Sequence, residues 1–321
     1  MDASQRAIGD PRKRSWFERI STRARNQQAS VNVAPETPTE FLPSFFVVGP
    51  PRTGTSWLYE MLRGQVILPL TTKETRFFDT HFHRGLEWYR AHYPGITDGR
   101  RIGEIAPTYF ASVEARERIA QLIPAARVVC IFRDPVERIL SLYRLKRAYG
   151  LIPWSFEQAI VEDPELMDTS RYGAHFRAWQ NALSPQQVLA TIYDDLRDDP
   201  QAFVDRLVDF IGVPRFTLTP LQNRRVHGSE NMTHPRSYIR TRTATRVADW
   251  LKAQRFNKLV ATIRDSRLRQ FFLRGGRPFA DPPSEFAARL YELFRPEVEE
   301  LEAILKRDLA AWKSTAAADV A

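Results

Sequence analysis

Short, largely apolar runs recur along the chain, and each is followed by residues that open a turn or a helix. The clearest runs cover residues 45–48, 126–132 and 187–193. A weaker run covers residues 66–70 and predicts the second strand in chain order. Apolar runs of this length are typical of strands in a parallel sheet, because helices cover both faces of such a sheet.

Helix signals alternate with these strands. Asp-Pro pairs at positions 134–135 and 199–200 place a capping side chain before a proline, which is the favoured order at a helix start. Gly212 is a stop signal for the second of these helices. The predicted helices cover residues 55–62, 135–149, 200–212 and 283–312. Strands that alternate with capped helices predict an α/β fold of three layers, α/β/α, with a central parallel sheet.

The size and composition of the chain suit one domain of this class. Its 321 residues are 43% hydrophobic and 26% charged, which is ordinary for a globular protein. The single cysteine, Cys130, excludes a disulfide framework and a multi-cysteine zinc site. No stretch is long and apolar enough to span a membrane, and no signal peptide is visible. We therefore expect a cytoplasmic protein without stable membrane insertion.

Charge and polarity divide the chain into segments. Residues 1–40 are polar and basic and contain prolines, so we expect a disordered tail. Residues 41–315 are expected to form a single domain. Within that domain, residues 221–280 carry fourteen lysines or arginines against three acidic residues, while the whole chain has a formal net charge of +9. Positive charge concentrated in this way favours contact with an anionic ligand.

The turn after the first predicted strand has the sequence GPPRTGTS, at residues 49–56. It has the glycine spacing of the phosphate-binding P-loop, but Thr55 stands where that motif has its lysine. The only cation in the loop is Arg52. A glycine-rich turn between a buried strand and a helix directs backbone N–H groups at an anion, and the helix dipole adds to the attraction. We therefore expect a P-loop-like fold whose loop lacks the main charge clamp of enzymes that hydrolyse nucleoside triphosphates.

A second strand–helix junction, RDPVERILS, also carries groups that bind anions. Arg133 ends the strand, and Ser141 lies about two turns into the following helix. The guanidinium group can bind a phosphate through two hydrogen bonds, and the hydroxyl can donate a third. The alternative is structural, with Arg133 paired to Asp134 or Glu137 at the start of the helix. Two anion sites at the carboxyl ends of two parallel strands predict a ligand with two separate phosphate groups.

With these two motifs the chain resembles the sulfotransferases that use 3′-phosphoadenosine 5′-phosphosulfate, a donor with two separated anionic ends. PPRTGTSWL resembles the loop that binds the 5′-phosphosulfate in this family, and VVCIFRDPVERILSLY resembles the motif that binds the 3′-phosphate. The resemblance implies that Arg133 and Ser141 hold the 3′-phosphate and that Trp57 packs on the adenine. It also implies a phosphosulfate site made of Arg52, Thr53, Gly54, Thr55 and Ser56.

Further segments resemble particular branches of the family. KETRFFDTHFHRGLEWY and GEIAPTYF resemble the heparan-type glycan and tyrosylprotein branches, and the C-terminal helix resembles that of many bacterial members. The first segment implies that Glu74 is the general base that removes the acceptor's proton. Arg52 and the loop N–H groups would neutralise the leaving phosphate, so we expect no metal requirement. The acceptor is expected to be a small molecule or a glycan.

The chain departs from the family's pattern at three places. Many relatives have a lysine where this loop has its arginine. Ile105 replaces a lysine that contributes to the active site of the glycan enzymes, which argues against close glycan specificity. The glycine–arginine loop that covers the donor in the family has no clean match. We expect the basic segment 221–280 to cover the donor or acceptor, with Arg274 and Arg277 of RGGRP as first candidates and Arg236 as the next.

Four alternatives stay open on the sequence alone. A histidine could be the base, as in the cytosolic branch of the family, and the candidates are His81 and His83, with His92 nearby. Two of these histidines could instead bind a metal, although no further ligands accompany them. The loop could belong to a P-loop nucleotide kinase or NTPase, which would need the missing lysine. The basic segment could bind an anionic polymer, although we expect no nucleic-acid partner.

Overall fold

A computed structural model describes residues 42–93, 95, 98–220, 222, 233–235, 237–253 and 276–314. At the centre of this part lies a parallel sheet with the strand order β2-β1-β3-β4. The strands are β1 (Phe45–Gly49), β2 (Gly103–Ile105), β3 (Arg127–Phe132) and β4 (Val188–Ile192). The predicted α/β fold with a central parallel sheet is confirmed. Strands β1, β3 and β4 end within one residue of their predicted bounds.

Helices connect the strands. In the described part of the chain the α-helices are α1 (Thr55–Leu62), α2 (Gly85–Arg90), α3 (Val113–Leu122), α4 (Pro135–Ala148), α5 (Phe156–Glu162), α6 (Pro164–Asp168), α7 (Tyr172–Ala182), α8 (Tyr193–Asp198), α9 (Pro200–Ile211), α10 (Tyr238–Ala253) and α11 (Ser284–Leu305). Helices α1, α4 and α9 correspond to predicted helices. The Asp134 and Asp199 side chains accept hydrogen bonds from the first turns of α4 and α9, as their Asp-Pro sequences predict.

Alternate side chains of the strands point to opposite faces of the sheet and enter two separate hydrophobic clusters. Phe46 and Val48 lie in one cluster with residues of α3, α7 and α11. Phe45 and Val47 lie in the other with residues of α1, α8 and α9. All four side chains are fully buried. Helices therefore cover both faces of the sheet, which gives three layers and explains why the strand sequences are so apolar.

The predicted second strand at residues 66–70 is wrong. Ile67 forms only an isolated parallel bridge with Ile102, in which the Ile67 N–H donates to Arg101 O at 2.8 Å and the Gly103 N–H donates to Ile67 O at 3.0 Å. The run is apolar because its first residues pack into the core. The second strand of the chain is β2 instead. Its sequence does not reveal it, because a glycine and a glutamate interrupt the apolar pattern.

The last helix is shorter than predicted. The prediction covered residues 283–312, but α11 ends at Leu305, and Lys306 takes a left-handed backbone conformation with φ 51°. A short 3-10 helix follows at Ala310–Trp312. The Trp312 Nε1–H donates to Asp194 Oδ2 at 2.9 Å, and Trp312 is only 4% exposed. The apolar pattern therefore continues past the helix end because these later residues also pack on the core.

Two predicted segments fall mainly outside the described residues. The basic tail at residues 1–40 lies entirely outside them, and so does most of segment 221–280. A single domain over residues 41–315 stays a prediction. Across the ranges that the structure describes, no helix has the length and apolar character needed to cross a bilayer.

Candidate active site

The loop after β1 depends on two glycines with left-handed backbone conformations. Gly49 has φ 90°, and a Cβ atom at this position would lie 2.8 Å from Pro107 Cβ. Gly54 has φ 89°, and a Cβ atom there would lie 2.6 Å from Leu196 Cδ2. Both positions therefore exclude larger side chains for steric and conformational reasons. The glycines let the loop lie close to the residues that follow β2 and β4.

Between its two glycines the loop is stabilised by a hydrogen bond between its own residues. The buried Thr53 hydroxyl donates to Pro50 O at 2.8 Å. Arg52 has φ 77°, which is uncommon for a residue with a side chain. Helix α1 begins at Thr55, and Ser56 is exposed in its first turn. Because the first N–H groups of a helix have no partner within it, the loop and the start of α1 form a site of the kind that binds anions.

Arg52 and Ser141 lie in direct contact. Arg52 Nε donates to Ser141 Oγ at 2.9 Å, and Ser141 is 2% exposed. Among the residues that the structure describes, no carboxylate forms an ion pair with Arg52. Burial lowers the pKa of Arg52, and the nearby Arg133 guanidinium lowers it further. Two neighbouring guanidinium groups, one of them without a carboxylate partner, favour an anionic ligand at this point.

Arg133 forms the ion pair that the sequence left open as its structural alternative. Its Nε and Nη2 donate to Glu137 Oε2 at 3.1 and 2.7 Å, and its guanidinium carbon lies 4.8 Å from the ring centre of Tyr193. The Glu137 side chain is 52% exposed, so water competes for its carboxylate. Arg52 therefore lies near both residues predicted to hold the 3′-phosphate, since it donates a hydrogen bond to Ser141 and its positive charge is repelled by that of Arg133.

Two positions singled out from the sequence belong to the hydrophobic core. Trp57 is 6% exposed, and its Nε1–H donates to Gln222 O at 2.9 Å. The adenine contact that the resemblance implies stays a prediction. Ile105 ends β2 and is fully buried in the same cluster as Val47. At this position the chain offers no polar group to a donor or acceptor.

Lys73 brings an ammonium group to the loop, and no sequence motif assigned it this place. Its Nζ donates to Ser56 Oγ at 3.1 Å and to Glu74 Oε1 at 3.2 Å. The Lys73 and Glu74 side chains are 29% and 28% exposed. The predicted base is therefore linked to the start of α1 through one ammonium group. The Lys-Glu pair is visible in the sequence. Lys73 lies 17 positions from Ser56, however, so no local pattern indicates that the two side chains are in contact.

A buried carboxylate fixes the segment that carries Glu74. Glu104, in β2, accepts hydrogen bonds at Oε1 from the Thr75 N–H at 2.9 Å and the Thr75 hydroxyl at 2.6 Å. Its Oε2 accepts from the Tyr89 hydroxyl at 2.7 Å. Burial raises the pKa of Glu104 to about 7, although these hydrogen bonds oppose the shift. The sequence assigned this glutamate no role, because nothing local shows that it faces the residue next to Glu74.

The histidines that could replace Glu74 as the base lie among aromatic side chains. The ring centre of His81 lies 6.3 Å from that of His83 and 5.3 Å from that of Trp88. Burial lowers the pKa of His81, and neighbouring arginines lower it further. His92 packs against Trp88 and is hydrogen-bonded to Thr71. In the described residues, no group of three or more His, Cys, Asp or Glu side chains could hold a metal ion.

Part of the basic segment lies beside α4, the helix that carries Ser141. Arg277 is exposed, and its carbonyl accepts a hydrogen bond of 2.9 Å from the His234 N–H. Just after it, the ring centre of Phe279 lies 6.1 Å from that of Tyr143 in α4. The other candidates for covering the donor, Arg236 and Arg274, lie outside the described residues.

Comparison with known proteins identifies the family of this chain. The family model of the sulfotransferase domain matches residues 42–254. The heparan sulfate N-deacetylase/N-sulfotransferase 4 of Mus musculus is 31% identical over 202 residues, which cover 56% of this chain and 23% of that protein. The heparan sulfate glucosamine 3-O-sulfotransferase 3A1 of Mus musculus is 31% identical over 183 residues, which cover 54% of this chain and 47% of that protein. The chain thus matches less than half the length of these relatives.

A solved structure agrees with the fold. The sulfotransferase from Alicyclobacillus acidocaldarius superposes on 84% of this chain and 98% of its own with a TM-score of 0.60, at 19% sequence identity. The resemblance of the chain to the sulfotransferase family is also confirmed, and the residues that the family model matches include both strand–helix junctions. Since that model matches more than half of the residues, the chain belongs to the sulfotransferase domain family.

Proposed function

We propose that the chain transfers a sulfuryl group from 3′-phosphoadenosine 5′-phosphosulfate to a hydroxyl or amine group of a small-molecule or glycan acceptor. The observation that carries this proposal is the hydrogen bond of 2.9 Å between Arg52 and Ser141. It joins the two strand–helix junctions that resemble the family's donor-binding motifs. Family membership supplies the reaction class, and the bond supports one continuous site for both anionic ends of the donor.

The residues of the two junctions fit a donor with these charges. Arg52 has no carboxylate partner among the described residues, and the first N–H groups of α1 have no partner within the helix. Arg133 is paired with Glu137, but that exposed carboxylate can turn to water when a phosphate takes its place. In this proposal Arg133 and Ser141 hold the 3′-phosphate. The 5′-phosphosulfate is held by Arg52, Thr53, Gly54, Thr55 and Ser56, with Trp57 near the adenine.

The same residues account for the chemistry of transfer. The acceptor oxygen or nitrogen forms a bond to sulfur, while the bond between sulfur and the bridging phosphate oxygen breaks. Glu74 takes the proton that the acceptor loses. The charge that develops on the leaving phosphate is met by Arg52, Lys73 and the loop N–H groups. The products are the sulfated acceptor and the 3′,5′-bisphosphate nucleotide. Because these cations supply the compensating charge, we expect no metal requirement.

The acceptor need not be the polymer in the relatives' names. Those relatives are named for heparan sulfate, but this chain covers only part of each. Ile105, fully buried in the core, stands where the glycan branch has a lysine. Both points favour a different acceptor. We also propose that the protein is cytoplasmic and that it does not bind nucleic acid.

The proposed domain spans residues 41–315, preceded by the basic tail at residues 1–40. The basic segment 221–280 would cover the donor or the acceptor. One contact of a described residue within this segment and one of a residue just after it support this role. Arg144, in α4, pairs with Asp281 at 2.7 Å, and Thr245, in α10, donates to Tyr149 O at 2.8 Å. These two contacts, one from α10 and one from just after residue 280, lie on α4 and on the residue that follows it.

A transfer assay with sulfate-labelled donor tests the proposal. The enzyme is offered panels of sugars, phenols, amines and peptides, with parallel reactions that contain ATP in place of the sulfate donor. We expect labelled product from at least one acceptor class and no nucleotide hydrolysis or phosphoryl transfer. Turnover of ATP, or tight binding of DNA or heparin with no transfer to any class, would overturn the proposal in favour of a kinase or a polymer-binding protein.

A further inference from the structure

The peptide group that joins Glu74 to Thr75 is held at both of its ends. The Thr72 hydroxyl donates to Glu74 O at 3.0 Å. The Thr75 N–H of the same peptide group donates to Glu104 Oε1 at 2.9 Å. Because a peptide group is planar, hydrogen bonds at its carbonyl and at its N–H fix the orientation of the whole plane. That plane begins at the Cα atom of Glu74 and therefore limits the directions in which the proposed base can point.

The Thr75 side chain adds two contacts to the same turn. Its hydroxyl donates to Glu104 Oε1 at 2.6 Å and accepts from the Phe77 N–H at 3.1 Å. Between Thr75 and Phe77, Arg76 has φ 53°, a left-handed conformation that is uncommon for a residue with a side chain. The hydroxyl thus closes the turn that leads from Glu74 into the core, where Phe77 is fully buried.

Glu104 connects this turn to the strand that leads to the proposed phosphosulfate site. It lies in β2, opposite Phe46 of β1, and β1 ends at Gly49, where the loop begins. The second oxygen of its carboxylate, Oε2, accepts from the Tyr89 hydroxyl at 2.7 Å, so the carboxylate is itself held in place. The sheet therefore supports both the loop that follows β1 and, through one carboxylate, the segment of the proposed base.

A carboxylate at this point is costly for a contact that is only structural. Glu104 is fully buried, and the Thr75 and tyrosine groups that donate to it are uncharged. Removal of a carboxylate from water costs stability that an apolar side chain would not lose. Residues that break the local pattern at such a cost are expected where function requires them. The function closest to Glu104 is the orientation of Glu74, because Glu104 binds the residue next to it.

We propose that Glu104 is a positioning residue for the transfer reaction and sets the direction of Glu74 through Thr75. The inference rests on the proposed function, in which Glu74 takes the acceptor's proton. A general base must lie within hydrogen-bonding reach of the proton that it removes. A displacement of about 1 Å can lower the rate about 100-fold. Because Glu104 is buried and acts on the base, loss of its contact with Thr75 should lower kcat and leave donor binding intact.

Thr75→Val and Thr75→Ser form the matched pair that tests this inference. Valine keeps the shape of the threonine side chain but lacks the hydroxyl, whereas serine keeps the hydroxyl. We expect Thr75→Val to lower kcat by about 10- to 100-fold, while the Kd of 3′,5′-bisphosphate nucleotide and the KM of the sulfate donor stay within about threefold. Thr75→Ser should keep most of the wild-type kcat. The measurements are calorimetry with the nucleotide and steady-state kinetics with labelled donor and the most active acceptor of the panel.

Tyr89→Phe separates positioning from a general loss of stability. It removes the hydrogen bond to the second oxygen of the same carboxylate and leaves both bonds from Thr75 in place. We expect Tyr89→Phe to lower the midpoint of denaturant unfolding about as much as Thr75→Val does, yet to keep kcat within about threefold. A kcat that falls equally in the two variants would overturn the inference, and so would a wild-type kcat in Thr75→Val.

Glu104→Leu, alone and combined with Thr75→Val, tests whether the effect of Glu104 passes through Thr75. The double variant should lose little more kcat than Glu104→Leu alone, because both substitutions remove the same contact. A loss in the double variant equal to the product of the two single losses would contradict this path. Binding of 3′,5′-bisphosphate nucleotide shows whether the leucine variants are folded. If they are not, the Thr75 and Tyr89 variants decide the question.

The wild-type protein distinguishes failure of this inference from failure of the proposed function. A wild type that binds no 3′,5′-bisphosphate nucleotide and transfers label to no acceptor of the panel would contradict the proposed function. A wild type that transfers label, together with a Thr75→Val variant of equal kcat, would overturn only the positioning role of Glu104. A fall in kcat in Thr75→Val that serine prevents, at an unchanged nucleotide Kd, supports both.

Discussion

Arg52 Nε donates a hydrogen bond of 2.9 Å to Ser141 Oγ across 89 positions of the sequence. The contact exists because β1 and β3 pair in parallel, with Val47 opposite Val129. Both strands therefore end at the same edge of the sheet, where parallel folds build their ligand sites. The bond ties the loop that follows one strand to the helix that follows the other. A ligand group bound at either junction would therefore contact one member of this hydrogen-bonded pair.

Arg133→Ala tests the 3′-phosphate site. We expect 3′,5′-bisphosphate nucleotide to bind roughly 10- to 100-fold more weakly, because a charge-assisted pair is lost. The affinity for 5′-AMP, which lacks the 3′-phosphate, should change by less than about threefold. Calorimetry measures both. Glu137→Gln is the matched control, since it releases Arg133 from its ion pair and should leave binding unchanged or tighter. Equal losses for the two nucleotides in Arg133→Ala would contradict the assignment.

Glu104→Gln tests the buried carboxylate through the pH dependence of stability. Burial raises the pKa of Glu104 to about 7 in the folded protein, while a glutamate in an unfolded chain titrates near 4.3. Its contribution is therefore fully present below about pH 4 and is lost as the pH rises through about 7, at a cost of up to about 4 kcal/mol. The variant lacks this titration. The free energy of unfolding of the variant, relative to that of the wild type, should therefore be higher at pH 8 than at pH 5.

Denaturant unfolding at the two pH values measures this difference. Asp134, whose pKa burial also raises to about 7, titrates in both proteins and cancels. Glu114→Gln changes an exposed acid and should leave the pH dependence of unfolding as it is in the wild type. Parallel pH profiles for Glu104→Gln and the wild type would show that Glu104 titrates normally in the folded protein.

Local sequence signals predicted the parts of the site that adjoin buried strands and capped helices. Strand β3 could be recognised because the side chains of residues 128–132 are all buried, and α4 because Asp134 caps it. The same reasoning failed at residues 66–70, since an extended segment that packs on the core has the same apolar composition as a strand. Periodicity alone cannot separate the two cases.

Contacts between distant segments could not be predicted from the sequence. Glu104 interrupts the apolar pattern of β2, yet it is fully buried because Thr75 and Tyr89 supply its hydrogen bonds. Lys73 reaches Ser56 only because the chain returns to the start of α1. In both cases the information lies in the fold and not in the neighbouring residues. Charged residues that break a local pattern were therefore the ones whose place was missed.

Lys73→Met removes the ammonium group that contacts both Ser56 and Glu74 while keeping an apolar side chain of similar length. If Lys73 neutralises the leaving phosphate, kcat should fall by about 10- to 100-fold, because charge stabilisation at the transition state is lost. Steady-state kinetics with labelled donor measures the effect. Lys313→Met is the control, since Lys313 forms a comparable ion pair with Glu302 and is 22% exposed. Similar, small effects in both variants would show that Lys73 forms only a surface ion pair with Glu74 and has no role in transfer.

Removal of divalent metal should leave transfer unaffected. In the proposed mechanism, Arg52, Lys73 and the loop N–H groups supply the positive charge that phosphoryl-transferring P-loop enzymes obtain from magnesium. Turnover of the sulfate donor in excess EDTA should match turnover without it. Loss of activity that magnesium restores would argue for kinase-like chemistry. The same assay with 5′-AMP added in place of the donor provides the blank.

Glu74→Gln tests the general base. Glutamine keeps the shape of the side chain and can still accept a hydrogen bond from Lys73, but it cannot take the acceptor's proton. Loss of a general base typically lowers the rate by about 10²- to 10⁴-fold. The Kd of the 3′,5′-bisphosphate nucleotide should stay within about threefold, because the proton is removed on the acceptor side of sulfur. A fall in kcat with an unchanged nucleotide Kd is therefore the expected result.

The histidine variants decide between the two branches of the family that differ in their base. His81 packs against Trp88, and burial lowers the pKa of its imidazole. A lowered pKa favours the unprotonated form, which is the form that a general base requires. His81→Ala and His83→Ala should nevertheless keep most of the activity, since Lys73 links Glu74 to the loop. If Glu74→Gln turned over normally while one histidine variant was inactive, the base would be that histidine. Catalysis would then follow the cytosolic branch of the family, and Glu74 would serve only to hold Lys73 beside Ser56.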